Sequence, residues 1–149
     1  MFTRLDPKLD VVFKLLFTRP GSEGILIALL SAILRPPSPI RSIKVLNPDL
    51  EKEAIPDRGV VLDIRVRLED GKEVDVEMQS QTRPGMTKRA LYHWSRMYGA
   101  QIVRGQEYAE LQPCISIFLL GYKELPSAKF HSTFQVLEVQ THEPLADQL

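Results

Sequence analysis

The segment Leu62 to Gln79, LDIRVRLEDGKEVDVEMQ, alternates oily and polar side chains on both sides of an Asp-Gly turn signal. Successive side chains of a strand point to opposite faces, so Leu62, Ile64, Val66 and Leu68 share one face while Asp63, Arg65 and Arg67 share the other. After the turn, Val74, Val76 and Met78 alternate with Glu73, Asp75, Glu77 and Gln79. Two strands that each have one oily face must be paired so that those faces coincide.

That requirement selects the turn. A two-residue Asp70-Gly71 loop would set Val66 against Asp75 and Ile64 against Glu77, mixing charge with oil along the whole ladder. A three-residue loop, Glu69-Asp70-Gly71 with Gly71 left-handed, pairs Leu62 with Met78, Ile64 with Val76 and Val66 with Val74. The same register sets Arg65 against Asp75 and Arg67 against Glu73 as cross-strand ion pairs, and leaves Asp63 facing Glu77, a like-charge pair. A local rule that holds everywhere except at one spot points to function at that spot, and adjacent carboxylates are the usual oxygen ligands of Mg²⁺ or Mn²⁺. The hairpin alone leaves open a plainer alternative, an acidic pair held apart in water.

Asp63, followed by Glu77-Met78-Gln79, resembles the Asp…Glu-x-Lys signature of the PD-(D/E)xK nuclease superfamily, with Gln in place of the usual Lys. Together with Asp10-Val-Val-Phe13-Lys14, Lys88-Arg89-Ala-Leu-Tyr92 and Gly105-Gln-Glu-Tyr108, it is similar to the recombination-promoting nuclease and transposase family, along nearly the whole chain. The resemblance implies a restriction-endonuclease-like α/β core, a central mixed sheet flanked by helices in the order helix, strand, hairpin, helix, strand. It implies that Asp63, Glu77 and the main-chain carbonyl of Met78 bind Mg²⁺ or Mn²⁺, and that Gln79 stands where a residue orients the attacking water. Glutamine is neither a cation nor a general base. Asp10 is the candidate for an extra catalytic acid from the first helix, and Lys14, Lys88, Arg89 and Tyr92 are the candidate DNA contacts. Asp10 and Lys14 could equally form a surface i,i+4 ion pair, and Tyr92 could be plain core.

Charge distribution along the chain fits a phosphodiester substrate. The net charge is zero overall. From Asp49 to Glu77, however, there are ten acids and five bases, and from Met78 to Gln106 there are five bases (Arg83, Lys88, Arg89, Arg96, Arg104) and no acids. A basic stretch directly after an acidic one suits a metal site beside a phosphate-binding face, although any one of these bases read alone is an ordinary solvated side chain. His93, His131 and His142 have no metal-ligand spacing, and His93 beside Trp94 reads as packing or surface. Cys114 lies in an apolar run and reads as a small buried hydrophobe. With one cysteine, neither a disulfide nor a cysteine-based zinc cluster can form within the chain. No glycine loop for a nucleotide and no nucleophilic triad is present, so no organic cofactor is expected.

With 149 residues, 44% hydrophobic and 26% charged, the sequence is expected to form one compact domain. It shows no apolar run of membrane-spanning length and no signal peptide, so a cytoplasmic location is expected. Asp6 and Pro7 place a first helix over 7–18, and an apolar helix follows from Glu23 to Leu34, stopped by Arg35-Pro36-Pro37. A strand is expected at Ile43 to Leu46 and a polar connection from Asp49 to Asp57. Beyond the hairpin, a helix is expected from Thr87 to Val103, then strands at Ile115 to Leu120 and Phe130 to Val139. Members of the family run beyond this last strand, so the chain is expected to lack a C-terminal part, with exposed apolar residues that would favour a homodimer.

The function these features imply is metal-dependent DNA endonuclease activity in a transposase-like, recombination-promoting protein. The rival is an inactive nuclease-fold module that binds DNA or a protein partner, favoured by Gln79 and the short C-terminus. A glycosidase using Asp63 and Glu77 is disfavoured by the short cross-strand spacing, roughly 4.5–5.5 Å at Cβ, and by the scarcity of aromatics for sugar stacking.

Overall fold

The computed structural model describes residues 5–47 and 63–145. Helices α1 (Asp10–Thr18) and α2 (Glu23–Leu34) precede strands β1 (Ile43–Val45), β2 (Ile64–Leu68) and β3 (Glu73–Gln79), followed by helix α3 (Met86–Gly99) and strand β4 (Cys114–Leu120). The four strands form one sheet in the order β1-β2-β3-β4. Neighbours are antiparallel except β3 and β4, which run parallel, so the sheet is mixed. This is the α/β architecture of a restriction-endonuclease-like core.

The hairpin turns as its polarity pattern demands. Gly71 has φ 90°, and the turn closes through Leu68 N–H to Lys72 O (2.8 Å) and Gly71 N–H to Leu68 O (3.0 Å). Ile64 then pairs with Val76, Arg65 with Asp75, Val66 with Val74 and Arg67 with Glu73. Leu62, expected opposite Met78, and the connection from Asp49 to Asp57 lie outside the described residues.

Because β3 alternates valine with polar residues and is buried on both faces, each face needs its own cover. On one face Val74 and Val76 align with Ile64, Val66 and Leu68 of β2 and with Ile115 and Ile117 of β4, under Phe13 and Phe17 of α1 and Leu26 and Leu30 of α2. Phe13 and Phe17, one turn apart, touch with ring centroids at 4.7 Å. Apart from the partly buried Ile115, each of these side chains contributes about 1.5–3 kcal/mol of hydrophobic stabilisation. Helix α2 stops at Arg35, which is left-handed and donates its N–H to Ser31 O just before the prolines. Among the described residues no single helix is long and apolar enough to cross a membrane.

The other face is covered by α3. Trp94 Nε1 donates to Cys114 O (3.0 Å), and Gln101, just past the helix, donates to Gln112 O and Cys114 Sγ while accepting from Gln112 N–H. These contacts tie both ends of the connection between α3 and β4. Burial raises the Cys114 thiol to about 11, consistent with a packing role.

Three elements differ from the sequence expectation by more than one residue. Helix α1 starts at Asp10 rather than at residue 7, because the Asp6 carboxylate accepts from Lys8 N–H (2.9 Å) and closes a turn ahead of the helix. Helix α3 ends at Gly99, short of Val103. The strand expected over Phe130 to Val139 is not formed. There the chain makes only a bridge between Leu137 and Pro144, the Glu138 carboxylate accepts from Gln140 and Thr141 N–H, and Phe130 and Phe134 are exposed. Alternation makes a strand only where a sheet edge accepts it.

Gly71→Ala forces an alanine into a positive φ and is expected to cost about 1–2 kcal/mol. Gln112 Oε1, 2.9 Å from where the Cβ would sit, is the flexible end of a side chain and adds little. Urea unfolding should show a lower midpoint with an unchanged m-value.

Candidate active site

The polar face of β3 carries Glu73, Asp75, Glu77 and Gln79 in a line, all buried under α3 and the flanking strands. Burying four such groups costs several kcal/mol unless each finds partners. The structure supplies partners unevenly.

Glu73 takes two cations, Arg67 at 2.6 Å and Arg65 at 3.4 Å. This corrects the expected Arg65–Asp75 ion pair. The two residues do stand opposite each other in register, but the guanidinium turns along the strand to Glu73. Asp75 is therefore left 4% exposed without an ion-pair partner among the described residues. Its neighbour is Asp63, with which it shares a hydrogen bond, and burial, the Asp63 charge and Glu77 push the Asp75 carboxyl up to about 8, only partly opposed by Arg65. Asp63 is held in place by Asn47, whose side chain donates to Asp63 O (3.2 Å) and accepts from Arg65 N–H (2.8 Å), gripping the chain on both sides of Ile64.

Glu77, 1% exposed, has two differently treated oxygens. Oε1 accepts from Gln79 Nε2 (2.7 Å) and from Arg89 through Nε (3.2 Å) and a terminal nitrogen (2.8 Å). Oε2 has no hydrogen-bond partner and faces His93 Nδ1 at 3.9 Å. Arg89 and His93 reach Glu77 together because they lie one turn apart on α3. Asp75, Glu77 and His93 each offer a ligand atom, all within 4.8 Å of one another.

Among the expected site residues, then, Gln79 is hydrogen-bonded to Glu77, while Asp63 meets Asp75, the neighbour of Glu77 on the same face. Met78 turns its side chain to the apolar face. Arg89, expected at DNA, binds Glu77. Lys14 is wholly buried where α1 meets β2 and β3. Asp10 opens α1 and is half-buried. Lys88 and Tyr92 are exposed and lie, with Arg96, on the outward stripe of α3, where the Arg96 guanidinium stands 6.0 Å from the Tyr92 ring centre.

Two members of the site went unread in the sequence. Asp75 shares the face of Glu77 by alternation, but its apparent pairing with Arg65 concealed it. His93 has no ligand spacing of its own, and its only signal is its i,i+4 relation to Arg89.

The raised Asp75 sets a pH dependence. The folded state holds this proton more tightly than the unfolded chain, so the contribution is full below the ordinary carboxylate range and is lost as pH rises toward 8 and beyond. In metal-free buffer the protein is expected to lose about 2–5 kcal/mol between pH 5 and pH 9 from this group. Asp75→Asn should flatten that loss in denaturant titrations at the two pH values.

The family model for PD-(D/E)XK nuclease family transposases matches residues 7–149. No curated protein and no solved structure gave a match. The three helices and four-stranded mixed sheet are the α/β fold expected of a PD-(D/E)XK nuclease core. The chain belongs to the PD-(D/E)XK nuclease family transposases, with the nuclease- and transposase-like role that membership carries.

Proposed function

We propose that this protein is a metal-dependent DNA endonuclease. The observation that carries the reading is Glu77, almost fully buried with one oxygen held by Gln79 and Arg89 and the other left without a partner. A buried carboxylate oxygen with no donor is costly, and a divalent cation is the natural occupant of a site built from carboxylates and an imidazole. The donors fit such an ion: Glu77 with Asp75 and His93, and Asp63 hydrogen-bonded to Asp75 behind them. Bound there, Mg²⁺ or Mn²⁺ would supply an acidified water and neutralise charge building on the phosphate.

The remaining roles belong to side chains. Arg89 and Gln79 fix the Glu77 carboxylate, and Arg89 adds positive charge beside the scissile group. The amide oxygen of Gln79 can accept from a water and orient it without taking its proton. Lys88, Arg96 and Tyr92, on the outer stripe of α3, meet the DNA backbone beside the site, with lysine and arginine supplying sequence-independent attraction. Asp10 and Lys14 sit on α1, which packs against β2 and β3, and act through the placement of those strands.

A second reading keeps the fold and the DNA contacts but no cleavage. The Arg89–Glu77 pair favours it, since it neutralises the acid without any metal. Supercoiled-plasmid nicking in Mn²⁺ and Mg²⁺ separates the two. Cleavage by wild type that falls at least about 100-fold in Glu77→Ala and in Asp63→Ala supports the endonuclease. Lys88→Ala/Arg96→Ala should lower the slope of log affinity against log salt by about 1.8. A wild type that shows that slope and cuts nothing with either ion is a binding module.

A further inference from the structure

We infer that His93 and Asp75 are direct ligands of the ion at Glu77, and that the resulting mixed oxygen and nitrogen set favours a first-row divalent ion such as Mn²⁺ or Co²⁺ over Mg²⁺. The inference rests on the reading that a cation binds at Glu77 and goes beyond it by naming the ligands and the class of metal.

The first ground is separation. His93 Nδ1 and Glu77 Oε2 are 3.9 Å apart, too far for a hydrogen bond. Two donors about 2.1 Å from one ion stand roughly 3 Å apart when adjacent and about 4.2 Å apart when opposite. The 3.9 Å gap falls within that interval, and the 4.8 Å limit over the three ligand atoms needs only a small contraction.

The second ground is the state of the atoms. Glu77 Oε2 and Asp75 Oδ1 are buried without hydrogen-bond partners, on side chains 1% and 4% exposed. Ser116, beside Asp75 on β4, adds a buried hydroxyl that also lacks a partner. Arg89 and Gln79 meanwhile engage Oε1 alone, which turns Oε2 to the histidine. Supporting groups that orient a ligand in this way are typical of metal sites.

The third ground is donor chemistry. Mg²⁺ prefers oxygen and keeps much of its water, whereas imidazole binds Mn²⁺ and, more strongly, Co²⁺. A site of two carboxylates and one imidazole therefore discriminates against Mg²⁺ in a way that the carboxylates alone would not.

Calorimetric titration with Mn²⁺, Co²⁺ and Mg²⁺, without DNA, tests the assignment on wild type, His93→Ala, Asp75→Asn and Glu77→Gln. Wild type is expected to bind Mn²⁺ and Co²⁺ at least about 10-fold more tightly than Mg²⁺. His93→Ala should weaken Mn²⁺ and Co²⁺ about 10–100-fold and Mg²⁺ less than about 3-fold, Asp75→Asn should weaken all three, and Glu77→Gln should abolish binding. Because His93→Ala could perturb α3, electron spin echo modulation of Mn²⁺ on the wild-type protein gives a second readout, with coupling to an imidazole nitrogen expected. Mn²⁺ that binds and is lost in Glu77→Gln, yet shows no nitrogen coupling and no sensitivity to His93→Ala, overturns the assignment while leaving a cation at Glu77. No binding of any of the three ions overturns both.

Discussion

A strand that alternates valine with carboxylates and is buried on both faces needs two different covers. β3 is that strand, and the rest of the fold follows from satisfying it. Its valines recruit the neighbouring strands and the phenylalanine and leucine faces of α1 and α2, which is hydrophobic burial of the ordinary kind. Its polar side chains recruit α3, whose Arg89 and His93 arrive over Glu77 while Trp94 fastens the helix to β4. Breaking one member of such a buried charged set leaves an uncompensated charge, which typically costs more than the intact pair contributes.

The satisfaction is graded along the strand. Glu73, near the turn, is saturated by two arginines, Asp75 is left to share a hydrogen bond with Asp63, and Glu77 is half satisfied. Unmet polar capacity thus lies beyond the turn, at Asp75 and at one oxygen of Glu77. The cost is concentrated at two positions of an otherwise well-paired strand. The neutral glutamine of the motif fits this arrangement: a lysine at position 79 would add a second cation beside Glu77, where Arg89 already stands.

Much of this was legible beforehand for local reasons. The three-residue turn followed from matching oily faces, because a one-residue slip would have buried charge against valine. Helix α2 was legible because a strongly apolar run that ends at a pair of prolines has one place to stop. The segment from Phe130 to Val139 misled for the converse reason: alternation records a preference, and no neighbouring strand takes it up. Asp6 misled because one side chain can close a turn as readily as it can cap a helix.

By itself the sequence determined the hairpin, its register, the two faces of β3 and the family to which Asp63, Glu77 and Gln79 belong, all of which depend on spacing within a few residues or on a shared motif. Only the tertiary structure decided where each charge found its partner. Arg65 chose Glu73 over Asp75, Arg89 turned to Glu77, Lys14 went inside, and His93 joined a site from which it lies far in sequence. Register fixes which Cα atoms are opposite, but long charged side chains reach past the nearest neighbour, and the partner they take depends on burial and on a helix that packs across the sheet.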